Sequence, residues 1–121
     1  MTIKQCYQAM GADFEEISQR IPSEAMIRKF AVKFPEDKSF AELTKALEQG
    51  DVETAFRAAH TLKGVCANLG LEKLLQSAGG LTEELRPEQD KIPAEAFSWM
   101  EELRRDYRTA EDAISQLLTE K

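Results

Sequence analysis

The chain has 121 residues, 42% of them hydrophobic and 31% charged, which suits one folded domain with its own core rather than a disordered segment. The formal net charge is -6 and there is no basic tract, which speaks against a nucleic-acid backbone or an anionic membrane as partner. No apolar run is long enough to span a bilayer, and residues 1–10 lack the basic start and apolar middle of a signal peptide, so a cytoplasmic protein is expected.

Apolar spacing is helical throughout, with no strand-like alternation. Ile3, Tyr7 and Met10 mark a short helix that Gly11 stops, and Asp13 caps the next, which carries Phe14, Ile17 and Ile21. Pro22 and Ser23 restart the chain. Ile27, Phe30 and Phe34 form a third stripe, ended by Pro35 because the residue before a proline resists helical geometry. Ser39 and Glu42 match a capping box, opening a helix that buries Phe40, Leu43 and Leu47. Gly50 closes that helix and Asp51 caps another over 51–69, whose inward stripe is Ala55, Ala59, Leu62, Cys66 and Leu69, with Gly70 at its end. A helix over 71–85 turns Leu74, Ala78, Leu81 and Leu85 inward, and residues 87–93 form a polar loop. The last helix, 94–118, places Phe97, Met100, Leu103, Tyr107, Ala110, Ile114 and Leu117 on a seam near heptad spacing.

These elements predict an all-α fold in a single domain, 1–121. Its core is an antiparallel up-and-down four-helix bundle over about 39–118, with additional short N-terminal helices over about 2–34. The heptad-like seam fits a neighbour within the bundle as well as a dimer contact, and a monomer is expected. Cys6 and Cys66 lie far apart, make no metal or redox motif, and read as small buried or half-buried residues that pack as hydrophobes.

His60 is the one histidine in the chain. At about 100° per residue it points roughly 140–160° away from the centre of the buried stripe, so it faces solvent. Residues three and four apart on a helix meet, which gives His60 the neighbours Phe56, Arg57, Lys63 and Gly64, with Glu53 and Ala67 a turn further out. Gly64 is the informative one. A glycine inside a helix costs about 1 kcal/mol relative to alanine, and here it makes no turn. What it does is clear the space beside the imidazole, and Ala67 keeps the next turn low. Lys63 can reach a phosphate on the ring as a flexible point charge. Arg57, on the other flank, can pair with phosphate or with an acidic partner. Asp51, Glu53, Arg57 and Lys63 cancel, so this helix is the least repulsive surface for an acidic partner.

The run Ala59-His60-Thr61-Leu62-Lys63-Gly64, followed by Asn68-Leu69-Gly70, resembles the signature of histidine-containing phosphotransfer (HPt) domains, and the likeness extends over about residues 14–118. The resemblance implies an antiparallel four-helix bundle with the histidine exposed on a middle helix. It implies a phosphorelay intermediate in two-component signalling: His60 accepts a phosphoryl group from a receiver-domain aspartyl phosphate and passes it to another receiver aspartate. Lys63 then stabilises phosphate charge, Gly64 gives access, and Phe56, Arg57 and Ala67 belong to the docking surface. The implied partners are receiver domains of hybrid histidine kinases and response regulators. No cofactor or metal is implied in the chain itself; Mg²⁺ is expected on the receiver. The family often sets a polar residue of the neighbouring helix near the ring, for which Gln76, Ser77 and Thr82 are candidates. Val65 stands where a small serine or alanine is common.

With no P-loop or other nucleotide-binding segment, a phosphocarrier without autonomous kinase activity is expected. The alternative is a helical interaction module that docks receivers through Phe56, Gly64 and Ala67 without phosphotransfer. A metalloenzyme or hydrolase fits poorly: one histidine and two dispersed cysteines do not build a usual Zn²⁺ site, and no nucleophile elbow is present.

Overall fold

Residues 1–86 and 89–119 are described by a computed structural model of the chain; Pro87 and Glu88, where the polar loop was expected to begin, lie outside the described residues. The described elements are all helical: α1 (Ile3–Ala9), α2 (Phe14–Arg20), α3 (Glu24–Val32), a 3-10 turn (Phe34–Glu36), α4 (Ser39–Gln49), α5 (Val52–Leu69), α6 (Glu72–Glu84) and α7 (Ala94–Thr119).

The four longer helices pack in chain order, α4 on α5, α5 on α6 and α6 on α7. Gly50 and Gly70 end α4 and α5 with φ of 70°, a left-handed conformation that side-chain-bearing residues reach only at a cost. Helices that touch across such short joints run antiparallel. Asp51 then starts α5. Its carboxylate accepts the Thr54 N–H at 3.1 Å and the Thr54 hydroxyl at 2.7 Å, and these bonds hold it below the usual carboxylate range. Leu43, Leu62, Leu74, Leu81, Met100, Leu103 and Ile114 fill the interior. Phe40 stacks on Tyr107 with centroids 4.0 Å apart, closing α4 against α7. From Met100 to Leu117 the seam of α7 is buried inside the chain. Among the described residues no helix is long and apolar enough to cross a membrane.

The N-terminal helices brace one end of α5. The buried Tyr7 hydroxyl donates to the Leu69 carbonyl at 2.7 Å, and the Arg20 guanidinium donates to the Ala67 carbonyl at 3.0 Å. Carbonyls in the last turn of a helix lack their i+4 partners, and that of Ala67 otherwise accepts the capping Gly70 N–H at 3.2 Å. Two side chains from distant helices therefore fix the end of the element that carries His60.

Several expectations are corrected. No capping box forms at Ser39 and Glu42: Ser39 is the buried first residue of α4, and its N–H donates to the Asp37 carboxylate at 2.9 Å. Asp37 lies two residues ahead of Ser39, so its short carboxylate takes the free donor. A capping box does form at Thr2 and Gln5. Phe30 is 38% exposed, because α3 turns Ile27 and Ala31 inward. Phe97 is 52% exposed, and Ala96 takes the inward position. A methyl side chain there lets α7 approach its neighbours closely. Phe40, for all its stacking, is only half-buried.

Candidate functional site

The buried face of α5 comprises Ala55, Ala58, Ala59, Leu62, Cys66 and Leu69, and His60 is exposed on the other side, at mid-helix. Its ring lies 6.1 Å from that of half-buried Phe56, tilted by 36°. The imidazole makes no hydrogen bond to any described residue. It is held by its backbone and one ring neighbour, and its polar edge is left to solvent.

One turn on, a Cβ built on Gly64 meets nothing within 4 Å. Helix packing therefore does not require this glycine. Lys63 is half-buried, and its stem crosses to α6: its Cε lies 3.9 Å from where a Cβ on Gly79 would stand. Arg57 sits on the opposite flank, 3.7 Å from Glu53, with both side chains more than two-thirds exposed. Such a pair holds little energy, so Arg57 stays free to exchange partners. Ala67 is half-buried and gives its carbonyl to Arg20.

The three candidates on the neighbouring helix separate by burial. Thr82 is buried and donates to the Ala78 carbonyl at 2.6 Å. Ser77 is buried, within 3.0 Å of the Asp106 carboxylate and 3.1 Å of the Lys73 carbonyl. Gln76 alone of the three is exposed. Half-buried Val65 lines an open groove of about 900 Å³, together with Phe30, Phe34, Asn68 and Leu69. Phe30, left on the outer side of α3, is part of that lining.

Sequence reasoning missed the opposite wall. Gly79 leaves a trough for the Lys63 stem, and a Cβ on Gly80 would stand 2.6 Å from the Trp99 indole. Paired glycines inside a helical pattern were the available signal. Glu83, one turn beyond Gly79, lies close enough to feel the Lys63 charge.

The family model of the Hpt domain matches residues 12–119, nearly the whole chain. The chain belongs to the Hpt domain family. Membership places it in two-component phosphorelays, where Hpt domains are phosphocarriers rather than kinases and interact with receiver domains. No curated protein and no solved structure matches it. The match begins at residue 12, so α1, with the Tyr7 brace on α5, precedes the matched segment.

Proposed function

We propose that His60 is the phosphoacceptor of this Hpt domain, taking a phosphoryl group from a receiver's aspartyl phosphate and passing it to another receiver's aspartate. The observation that carries the reading is the empty space over Gly64 beside an exposed imidazole that no described residue hydrogen-bonds. A neutral imidazole is a good nucleophile near neutral pH. The lone pair on its outer nitrogen, Nε2, attacks phosphorus. A P–N bond forms as the P–O bond to the aspartyl carboxylate breaks, and the carboxylate leaves with the electron pair. The Nδ1 proton stays on the ring. Acyl phosphate and phosphohistidine are both high-energy species, so the step runs in either direction.

Lys63 meets the phosphoryl oxygens as they come within reach of its ammonium. Mg²⁺ belongs to the receiver in this reading, where it offsets charge on the same oxygens. Phe56, Arg57 and Ala67 surround the point of contact and meet the docking receiver. Incubation with a phosphorylated receiver and Mg²⁺ should put acid-labile phosphate on the chain and none on His60→Gln. Label on the variant, or none on the native chain, rejects the assignment.

A further inference from the structure

We infer that Glu83 and Arg86 are positioning residues for Lys63: the carboxylate draws the ammonium across Gly79, and the guanidinium keeps that carboxylate from capturing it. The inference rests on His60 being the phosphoacceptor.

Gly79, Glu83 and Arg86 follow one another at steps of four and three, along one side of α6 and just past its end. The Lys63 stem comes onto that side, with Cε 3.9 Å from the Cβ position of residue 79. Arg86 engages both Glu83 oxygens, Nε to Oε2 at 2.9 Å and Nη2 to Oε1 at 2.9 Å. A fork of this kind is the strongest way a cation holds a carboxylate. The backbone of Arg86 is itself fixed, since the Gln89 amide donates to the carbonyls of Glu84 and Arg86, each at 2.9 Å. The Glu83 carboxylate is held below its ordinary range, by the Arg86 bond and charge first and by Lys63 after them. Lys63 nevertheless forms no ion pair among the described residues.

The arrangement is of little use to the fold, because exposed ion pairs add little stability. Its effect falls on Lys63. An ammonium attracted toward α6 but not bound there remains available to a doubly charged phosphoryl group on His60. Without Arg86, both Glu83 oxygens are free and Lys63 pairs with them.

The test is the rate of phosphoryl uptake from a phosphorylated receiver with Mg²⁺, and separately from phosphoramidate, a small donor with no docking surface. Arg86→Ala should slow both by about two- to fivefold, the range an exposed ion pair commands. Adding Glu83→Gln to Arg86→Ala should raise the rate above that of Arg86→Ala alone but short of the native rate, because Lys63 is then neither captured nor drawn across α6, and in a Lys63→Ala background Arg86→Ala should change nothing further. A structural role for Arg86 would not be rescued by deleting its own partner. Native uptake by Arg86→Ala, or failure of Glu83→Gln to rescue it, overturns the inference alone. Absence of label on the native chain overturns the phosphoacceptor assignment and this inference with it.

Discussion

Gly64 and Gly80 stand inside neighbouring helices, and each carries a penalty of about 1 kcal/mol relative to alanine. Their surroundings differ completely. At Gly80 the missing side chain is replaced by the Trp99 indole, 2.6 Å from where a Cβ would be. At Gly64 nothing lies within 4 Å. One glycine is explained by the chain's own packing. The other has no explanation in the packing of the described residues, and it stands one turn from His60, where the proposed function gives it a visitor from outside. A glycine that the fold does not need is the better marker of function.

The same division separates the ionisable groups and gives the largest expected effect. His60 is exposed. Burial pushes the Cys66 thiol up from 9.0 to about 12, and pushes the Tyr107 hydroxyl from 10.0 to about 12. Tyr7 is raised too, by burial foremost. In each case the fold favours the neutral, protonated form. This contribution is complete below the unfolded values and is lost as pH rises through the folded ones, from about 9 toward 12. The protein should unfold cooperatively in that window. Both tyrosines of the chain are among these groups, so tyrosinate absorbance should appear together with loss of helix. A gradual tyrosine titration with the helices intact would break the division between packed and open regions.

Next in size is Gly80→Ala. The new methyl group meets the indole, and overpacking of this kind costs about 1–3 kcal/mol even with relaxation. The chain's single tryptophan is the group displaced, so a lower denaturation midpoint should come with a shift in its emission. Phosphoryl uptake per folded molecule should stay at the native level. Loss of uptake without loss of stability would mean that Gly80, too, serves the site.

What the sequence made legible was whatever one helix reveals about itself. The stripe Ala55, Ala59, Leu62, Cys66 and Leu69 fixed the direction of His60, and Gly50 with Asp51 fixed the joint before it. The failures came where the deciding atoms sit on another element. Phe97 has the spacing and size of a core residue, yet α7 turns Ala96 inward instead. Gly79 and Gly80 have no place in the apolar stripe of their helix, and their role shows only where Lys63 and Trp99 lie over them. Ser39 and Glu42 have the letters of a capping box, and Asp37 takes the free amide first. Within the site, His60, Lys63 and Gly64 lie on one helix and could be grouped by angle. Glu83 and Arg86 act across the α5–α6 boundary, and no single-helix periodicity records that.

The smallest change in stability is the most discriminating, because its sign is unusual. Gly64 is helical, and the space beside it is empty, so Gly64→Ala adds a methyl group that touches nothing. The variant loses backbone entropy in its unfolded state and should be more stable by about 0.5–1 kcal/mol. In urea the midpoint should rise with the slope unchanged, which assigns the effect to stability rather than to compactness. Phosphoryl uptake from a receiver should fall at the same time, since the methyl group stands where the phosphoryl group and the docking surface approach the imidazole. Gly80→Ala gives the contrasting pair of outcomes, with stability down and uptake unchanged. A destabilised Gly64→Ala would show that this face is packed after all. A stabilised variant with native uptake would leave the open space with no visitor, and the contrast between the two glycines would then concern packing alone.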